Sequence, residues 1–328
     1  MGCSRSPACP GTTKTLRSSV DGRRAGRPDR GGGARQDAQP RLPDRRATRS
    51  TFKIVVASAN QEERSWTGRG VRDRCRLQLR RAHVRDWQPM GPNKLLGAIQ
   101  WSDNVYFYKL GELLGPERMA RTASELGVGS RSGIDLPGES AGFIGTPENV
   151  ADIGGTWYPG STLLMGIGQG TVIATPVQVA RWTSGIATGA LVTPQLAAAD
   201  ATGDGAPIPT GEPQRLPFAD KLGPVRAGMR ASATAGTAGQ LATLPVTAGA
   251  KTGTAEDPSA PGGLNAWFSA VVPFESPEIV VTALVRGGGF GSATSGPWSR
   301  PSSSATSRSG RAPRLRHRRR NPAGDQPL

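Results

Sequence analysis

Residues 163–180 read LLMGIGQGTVIATPVQVA, a glycine-rich stretch that runs directly into the start of a helix. Thr175 followed by Pro176 is the pair expected at a helix N-cap and first turn, because the threonine hydroxyl accepts from a free backbone N–H and proline needs no partner there. The sequence that follows, TPVQVARWTSGIATG, stays largely apolar up to Gly189. We therefore predict a long buried helix over residues 175–189.

Periodic apolar segments lie on both sides of this block. Residues 50–59, STFKIVVASA, are typical of the first turns of a buried helix with Ser50 near its N-terminus. Residues 198–215 are rich in Ala, Gly, Pro and Asp and are predicted to form a surface loop. The pattern further predicts helices over residues 93–100, 105–114 and 116–126, a loop with a short strand over 133–145, and strands over 249–255, 266–273 and 278–285.

Three short motifs follow one another along the chain. They are S-x-x-K at residues 50–53, S-D-N at 102–104 and K-T-G at 251–253. Each alone has an ordinary interpretation: a helix start with a solvated lysine, a turn between helices, and the edge of a strand. Together, with the first opening a helix and the last opening a strand, they indicate a site for serine acyl transfer.

The residue types suit acyl transfer without a histidine. A serine hydroxyl is a poor nucleophile until a base takes its proton, and Lys53 lies one helical turn after Ser50 on the same face. Desolvation and nearby cations lower the pKa of a lysine enough for it to act as a base. We interpret Ser50 as the nucleophile and Lys53 as its general base. Ser102 is the candidate proton shuttle to the leaving group, and Asn104 is the candidate donor to a substrate amide.

The third motif supplies the substrate-binding part of the predicted site. Lys251 adds positive potential near Ser50 and, with the Thr252 and Thr254 hydroxyls, is predicted to hold a substrate carboxylate. Gly253 completes the motif on the same strand. The backbone N–H groups of Ser50 and Thr254 are the predicted oxyanion-hole donors, one at a helix N-terminus and one on a strand edge.

The formal net charge of +16 is concentrated in three segments. Residues 1–49 carry +8, residues 61–88 carry +4 and residues 300–328 carry +7, whereas the remainder carries −3. These segments lack the apolar content that offsets chain entropy on folding. We therefore predict a basic disordered segment at 1–49, a domain over 50–291 that is interrupted at 61–88, and a basic disordered tail at 292–328.

All three cysteines and both histidines lie in those basic segments. For the remainder this excludes a Cys–His or Ser–His–Asp centre, a Cys/His zinc site and a disulfide framework, so no metal and no cofactor are expected. No apolar run approaches the roughly 18–20 residues that span a bilayer, and the N-terminus lacks the apolar core of a signal peptide. The expectation is a chain without a membrane anchor or an export signal.

With these motifs the chain resembles the transpeptidase domain of penicillin-binding proteins, most closely the class B kind that serves cell elongation or division. The resemblance covers residues 50–60 and 90–291 and includes WSDNVYFYKLGELLG, GIDLPGESAGFIGTPE, KTGTAE and the block quoted above. It implies an α/β sandwich of the penicillin-binding protein and serine β-lactamase type. In that fold a mainly antiparallel sheet carries K-T-G, helices cover both faces, and a helical subdomain presents S-D-N across a cleft from Ser50.

The resemblance also implies a function. Ser50 would form an acyl-enzyme with a peptidoglycan stem peptide that ends in D-Ala-D-Ala, release the terminal D-Ala, and pass the acyl group to an amine of a second stem peptide. β-Lactam antibiotics would acylate the same serine. The implied partners are therefore stem peptides, β-lactams and a cell-wall elongation or division complex, and the implied location is the outer face of the bacterial cytoplasmic membrane.

The chain departs from the family pattern in several places. Thr48 and Arg49 stand where family members usually carry Pro-Gly, and residues 61–88 do not resemble the usual sequence between the first two motifs. The anchor and pedestal domain that usually come first, and the strand and helix that usually follow GGGFGS, are not recognisable. We hypothesise a truncated domain whose basic segments are out-of-frame translation of a GC-rich coding sequence. Shifting the reading frame of the coding DNA in those stretches is then expected to restore family-like sequence.

Two other classes of function stay open from the sequence. The same fold supports D,D-carboxypeptidase or β-lactamase chemistry, although no Glu-x-x-Leu-Asn stretch is present to position a deacylating water. The other alternative is an inactive fragment whose basic tails bind nucleic acid, favoured by RLRHRRR at residues 314–320. Aromatic residues are sparse there and no recognition motif accompanies the charge, so nucleic acid is not the expected partner.

Overall fold

The computed structural model describes residues 46–63, 71–73, 76–79, 82–86, 88, 90–196, 211–257 and 259–292. Side chains are described for all of these except residues 46, 71–73, 76–79 and 82–85. The predicted disorder over 1–49 and 292–328 lies almost wholly outside this part of the chain, as does most of the predicted loop over 198–215.

Eight α-helices occur in the described part of the chain, and most of them bury an apolar face in one common core. The α-helices are α1 (Lys53–Glu63), α2 (Leu95–Trp101), α3 (Asn104–Leu114), α4 (Pro116–Glu125), α5 (Pro147–Asp152), α6 (Pro159–Gly166), α7 (Pro176–Thr188) and α8 (Gly223–Ala235). Turns of 3₁₀ helix occupy Arg49–Phe52, Ala219–Lys221, Gly239–Thr243 and Pro261–Gly263.

The strands of the described residues are mostly short, and only the last three are long. They are β1 (Arg46–Ala47), β2 (Val71–Asp73), β3 (Arg76–Leu79), β4 (Ala82–Arg85), β5 (Gly91–Asn93), β6 (Phe143–Ile144), β7 (Val172–Ala174), β8 (Ala190–Leu191), β9 (Gln214–Arg215), β10 (Gly249–Glu256), β11 (Leu264–Val272) and β12 (Ile279–Val285). All the pairings are antiparallel, in the sheets β10-β11-β12, β1-β7-β6, β2-β5, β3-β4 and β8-β9.

The sheet formed by β10, β11 and β12 lies between helices. Because side chains alternate along a strand, β11 presents Phe268 and Ala270 to one face and Trp267 and Val271 to the other. The first pair packs in a cluster with Ala233 of α8. The second pair joins the larger core that contains α1 and α7. Helices therefore cover both faces of the sheet, as the sequence predicted.

Helix α7 forms where the opening block predicted a helix. The Thr175 hydroxyl accepts from the Gln178 N–H at 3.2 Å, and the Gln178 side chain accepts from the Thr175 N–H at 2.9 Å, which satisfies two free donors of the first turn. Trp182 is fully buried. Gly189, with φ +87°, ends the helix in the left-handed conformation that favours glycine.

Helix α1 confirms the predicted buried helix but changes its boundaries. Residues 53–60 are all buried, and the helix continues to Glu63 rather than ending at residue 60. The four residues before Ser50 are ordered as well: β1 pairs with β7, and Thr48 is fully buried. The predicted disorder therefore does not extend to residues 46–49, because backbone pairing with a distant strand orders a segment that has no apolar periodicity of its own.

The stretch over residues 61–88 also contributes to the fold where it is described. Strand β2 pairs with β5, strands β3 and β4 form a hairpin, and Asp86 is buried against the start of α3. Strand β9 likewise lies inside the predicted loop over 198–215 and pairs with β8. The helices α5, α6 and α8 were not predicted. Apart from the described residues within 46–49 and 61–88, the predicted division into basic segments and a domain over 50–291 stays a prediction.

Candidate active site

Ser50 lies in the 3₁₀ turn Arg49–Phe52, directly before α1. The two residues after it are buried, and the Phe52 ring packs edge-on against Trp182 with the ring centroids 6.2 Å apart. Ser50 itself is partly exposed and lines a cavity of about 550 Å³. The turn is thus fixed from the core side and presents the serine to the cavity. The residues that line the cavity are Arg49, Ser50, Ser102, Asn104, Thr237, Thr252, Gly253, Thr254, Glu256, Leu264, Phe290 and Ser292.

Lys53 joins the first motif to the second. Its side chain is fully buried, and Nζ donates to the Ser102 carbonyl at 2.7 Å, to the Ser102 hydroxyl at 3.2 Å and to Asn104 Oδ1 at 2.7 Å. Nζ also lies 5.4 Å from the centroid of the Phe107 ring. An amine that is buried and hydrogen-bonded in this way is held in one position next to the Ser102 hydroxyl.

Burial lowers the pKa of Lys53 from 10.5 to about 8. Desolvation is the largest cause, since the charged form loses its hydration. The negative charges of Asp86 and Asp103 raise the pKa and the positive charge of Arg49 lowers it, with smaller effects. A substantial fraction of Lys53 is therefore neutral slightly above neutral pH, which a general base for a serine hydroxyl requires.

The S-D-N motif forms the junction between α2 and α3. Ser102 ends α2 in the left-handed conformation, with φ +59°. Asp103 caps α3, since its Oδ1 accepts from the Tyr106 N–H at 2.7 Å, and its Oδ2 accepts from the Asn93 amide at 3.0 Å. Asp103 is fully buried, so its role here is the helix cap. Asn104, the first residue of α3, lines the cavity.

The K-T-G motif lies in β10, but its lysine does not line the cavity formed by the described residues. Lys251 is fully buried, and its Nζ donates to the Thr252 carbonyl at 2.9 Å. Burial, with the nearby charge of Lys53 as the smaller cause, lowers the pKa of Lys251 well below its usual range. The geometry therefore places Lys251 as an electrostatic neighbour of Lys53, and leaves contact with a ligand to Thr252, Gly253 and Thr254.

A row of threonine hydroxyls follows the edge of the cavity. Thr252 Oγ1 donates to Thr237 Oγ1 at 2.8 Å, and Thr254 Oγ1 accepts from the Gly291 N–H at 3.1 Å. Thr237 was not predicted from the sequence, because it lies between α8 and β10 in a segment, TAGTAGQ, that contains no motif. Only the fold brings this third hydroxyl beside Thr252.

The turn Arg49–Phe52 carries the candidate nucleophile Ser50 and is therefore called the nucleophile turn. Gly253 is required because this turn approaches β10 closely. A Cβ at this position would lie 3.1 Å from the Thr48 carbonyl oxygen, 3.2 Å from Thr51 Cγ2 and 3.2 Å from Trp267 Cβ. These distances are shorter than ordinary side-chain contacts, so a larger residue would separate the turn from the strand. The glycine of K-T-G thus sets the distance between the turn that carries Ser50 and the strand that borders the cavity.

Gly168, in the glycine-rich block of residues 163–180, packs against the same turn from the other side. Its carbonyl accepts from the Arg49 N–H at 2.7 Å. Its φ is +74°, and a Cβ there would overlap the Arg49 carbonyl oxygen and lie 2.6 Å from Phe52 Cβ. The nucleophile turn is therefore held between two glycines, Gly168 and Gly253.

We expect Gly168→Ala to destabilise the fold by about 2 to 5 kcal/mol, from a positive φ and from overpacking against the turn. Gly170→Ala is the matched control, because its φ is +70° but its Cβ would meet nothing closer than Leu164 Cβ at 3.7 Å. It should cost only about 1 kcal/mol, the strain of the left-handed conformation. Urea unfolding of both variants measures the difference in their free energies of unfolding. Equal losses of stability would contradict the close contact between the turn and Gly168.

Arg49 occupies the position before Ser50 at which the family usually has glycine. Its φ is +44°, a conformation that is strained for any residue with a Cβ. Its guanidinium pairs with Glu256 at the end of β10, across the cavity. The structure thus gives a physical reason for the usual glycine, and Arg49 retains the conformation at a cost in stability.

We expect Arg49→Gly to be about 1 kcal/mol more stable than Arg49→Ala, because only alanine keeps a Cβ at positive φ. Both substitutions remove the ion pair with Glu256, so the comparison isolates the backbone strain. Chemical denaturation measures the free energy of unfolding of each variant. An alanine variant at least as stable as the glycine variant would contradict the strain at this position.

Neither a metal-binding cluster nor a membrane-spanning helix is found among the residues that the structure describes. No group of three or more His, Cys, Asp or Glu side chains is arranged to hold a metal ion there. None of the helices in these residues has the length and apolar character needed to cross a membrane.

The family model for the penicillin binding protein transpeptidase domain matches residues 21–303. The chain belongs to this family. The match extends beyond the boundaries at residues 50 and 291 that the sequence analysis predicted for the domain.

Sequence relatives agree with the family assignment. The chain is 28% identical over 239 residues to the peptidoglycan D,D-transpeptidase MrdA of Salmonella typhimurium, with 66% of this chain and 38% of the relative covered. It is 31% identical over 242 residues to MrdA of Haemophilus influenzae, with 66% and 37% covered. The chain thus spans less than two fifths of the length of these relatives.

Solved structures show the same fold. The penicillin-binding protein PBP2 of Helicobacter pylori, solved in complex with MreC, superposes with a TM-score of 0.69 at 31% identity and covers 77% of this chain and 48% of that one. PBP2 of Pseudomonas aeruginosa, in complex with WCK 5153, superposes with a TM-score of 0.68 at 31% identity, covering 77% and 59%. These findings confirm the predicted fold and the predicted likeness to the transpeptidase domain of penicillin-binding proteins. Of the two types that the sequence left open, elongation and division, they support the elongation type.

Proposed function

We propose that this chain carries the acyl-transfer site of a peptidoglycan D,D-transpeptidase, with Ser50 as the nucleophile. The observation that carries the proposal is the position of Lys53 Nζ. Lys53 follows Ser50 by one helical turn, and its Nζ hydrogen-bonds both Ser102 and Asn104. The three motifs, far apart in sequence, border one cavity through Ser50, Ser102, Asn104 and the K-T-G strand. The family relatives named as D,D-transpeptidases support the same chemistry.

In the proposed acylation, neutral Lys53 takes the proton of the Ser50 hydroxyl as Oγ forms a bond to the carbonyl carbon of the penultimate D-Ala. The oxyanion that develops is bound by the backbone N–H groups of Ser50 and Thr254. The C–N bond to the terminal D-Ala then breaks, and its nitrogen receives the proton from Lys53 through the Ser102 hydroxyl. Acylation therefore returns the base to its neutral form and leaves an ester on Ser50.

In the second half of the proposed cycle, an amine of a neighbouring stem peptide attacks this ester. The amine loses a proton to the Lys53–Ser102 pair as its nitrogen bonds to the carbonyl carbon. The C–O bond to Ser50 then breaks, and Oγ recovers the proton. The net reaction exchanges one peptide bond for another, so it needs no cofactor and no external energy source.

The substrate end of the proposed site is the threonine-lined edge of β10. A peptide that ends in a carboxylate finds hydroxyl groups from Thr237, Thr252 and Thr254 there. Asn104 is the proposed donor to the substrate amide. β-Lactams carry a carboxylate and an acyl group in a similar arrangement and are the proposed inhibitors.

We propose further that the protein works at the outer face of the cytoplasmic membrane in a cell-wall elongation complex. One neighbour that supports such a complex is the Helicobacter pylori PBP2, which was solved with MreC. A second neighbour, at 33% identity and a TM-score of 0.67 with 76% of this chain and 44% of that one covered, belongs to a peptidoglycan synthase complex. Co-purification of the full-length chain with such proteins from the native cell is the corresponding test.

Mass spectrometry of the purified chain with a labelled penicillin tests the proposed chemistry. We expect one covalent adduct, mapped by proteolysis to the peptide that contains Ser50, and a burst of acylation without steady turnover. Steady hydrolysis of the penicillin would instead favour a β-lactamase. Release of D-Ala from a pentapeptide without transfer to an added amine would favour a D,D-carboxypeptidase. A chain that never acquires an adduct would contradict the proposal.

A further inference from the structure

Asp86 lies in the stretch that the sequence analysis set outside the domain, yet it is buried beside the S-D-N motif. Its side chain is only 5% exposed. Its Oδ2 accepts from the Asn104 N–H at 2.5 Å and from the Val105 N–H at 3.2 Å. These are the first two N–H groups of α3, which have no partner inside the helix, and a negative charge is favourable at that end of a helix.

Asn104 is held at both ends by this arrangement. Its backbone N–H is bound by Asp86, while its side-chain oxygen accepts from Lys53 Nζ at 2.7 Å. A continuous chain of hydrogen bonds therefore runs from the Asp86 carboxylate through Asn104 to the Lys53 amine. We propose that Asp86 is a positioning residue for acyl transfer, which fixes Asn104 and through it the amine of Lys53. This inference rests on the proposed function of Ser50 and Lys53.

Asp86 affects Lys53 through its charge as well as through its position. The charged groups that act on Lys53 are Asp86 and Asp103 at the start of α3 and Arg49 in the nucleophile turn. Lys251 on β10 is a further neighbour, whose own pKa the charge of Lys53 lowers. Of the two carboxylates, Asp103 also accepts from the Asn93 amide. Asp86 raises the pKa of Lys53 and so opposes the lowering by burial. Without this charge the ammonium form is less stable and the pKa of Lys53 falls.

The decisive variant is Asp86→Asn, which keeps a side-chain oxygen as acceptor but removes the charge. The rate of acylation by a labelled penicillin is measured between pH 5 and pH 10. Since the neutral amine is the reactive form, the rate of the unmodified chain should rise with a midpoint near the pKa of Lys53, about 8. In the variant we expect this midpoint to move to lower pH by roughly one unit. Asp86→Ser, a second neutral acceptor, should move it in the same direction, so the test does not depend on one variant folding.

Two variants separate positioning from simple loss of stability. Asp86→Glu keeps the charge and should leave the midpoint near that of the unmodified chain. Glu139→Gln is the matched control, because Glu139 also accepts from two backbone N–H groups, those of Ser132 at 2.7 Å and Gly133 at 3.1 Å, but does not line the cavity. It should lower stability without moving the midpoint. An Asp86→Asn midpoint equal to that of the unmodified chain overturns the inference.

A measurement that needs no acylation distinguishes failure of this inference from failure of the proposed function. The chain has six lysines, so the ¹³Cε signals of its lysine side chains form a small set that can be followed against pH by NMR. Lys53→Met identifies the signal of Lys53. A lower midpoint for that signal in Asp86→Asn supports the role of Asp86 even if the unmodified chain forms no penicillin adduct. An unchanged midpoint contradicts it even if the unmodified chain is acylated.

Discussion

Ser50→Ala is expected to abolish the covalent adduct with a labelled penicillin. Ser50 is the serine of the S-x-x-K motif and lines the cavity that the three motifs border. Its loss removes the atom that forms the ester, while the buried Phe52 keeps the turn in place. Because alanine fits the turn without new contacts, the fold should be unchanged. Intact-protein mass spectrometry after incubation with the penicillin measures the result.

Ser124→Ala provides the control for the loss of a hydroxyl elsewhere. Ser124 is an exposed residue of α4 and does not line the cavity. This variant should form the adduct at the same rate as the unmodified chain. Circular dichroism of both variants checks that neither has unfolded. A stoichiometric adduct on the Ser50→Ala protein would show that another residue is the nucleophile and would refute the role given to Ser50.

Lys53→Met is expected to slow acylation by about 10²–10⁴-fold, the usual contribution of a positioned general base. Methionine nearly matches the lysine in volume, so it fills the same space in the core. It does remove the donor to the Ser102 carbonyl and to Asn104 Oδ1, so a loss of stability of about 1–3 kcal/mol accompanies the change. Stopped-flow acylation well below the unfolding temperature separates the kinetic effect from the loss of stability.

Lys109→Met is the matched control for Lys53→Met. Lys109 lies on α3, and its Nζ pairs with Glu112 at 2.8 Å on the helix surface. The pair is partly exposed and therefore contributes little, so stability and acylation should both stay close to those of the unmodified chain. The remaining activity of Lys53→Met should also lose its dependence on pH near 8, since the titrating amine is gone. Acylation of the Lys53→Met variant at the original rate would exclude Lys53 as the base.

The sequence predicted the regular elements best where the pattern is strong and local. Helix α7 carries its own start in Thr175 and its own end in Gly189, so its limits followed from capping chemistry alone. The strands β10, β11 and β12 were predicted within about two residues at each end. β11 and β12 are largely apolar runs bounded by Gly and Pro, and β10 contains the K-T-G motif. Helix α8 was missed, because its sequence GPVRAGMRASATA is rich in small residues. Its packing depends on close approach, and a Cβ at Gly228 would lie 2.7 Å from Ile99 Cβ.

The sequence motifs named candidate residues for the site, but they did not name the residues that hold these side chains in place. Ser50, Ser102 and Asn104 line one cavity, and Lys53 hydrogen-bonds Ser102 and Asn104. The catalytic roles that the motifs imply for these residues stay predictions. Thr237 and Asp86 were not predicted, because neither belongs to a motif and each reaches the site only through the packing of distant segments. The structure does not place Lys251 against the cavity that the described residues form, since this lysine is fully buried and its Nζ donates to the Thr252 carbonyl. The hypothesis that the basic segments are out-of-frame translation stays a prediction.

By itself, the sequence determined the order of the motifs, the chemistry that their residue types allow, and the position of the helix that follows the glycine-rich block. These properties are local, since they depend on residue identity, on capping and on periodicity over a few turns. Only the tertiary structure decided how the motifs are held: the nucleophile turn lies between Gly168 and Gly253, and Lys53 is buried against Asn104 and Asp86. Burial and the fields of distant charges set the reactivity of an amine, and these exist only once segments far apart in sequence have packed together.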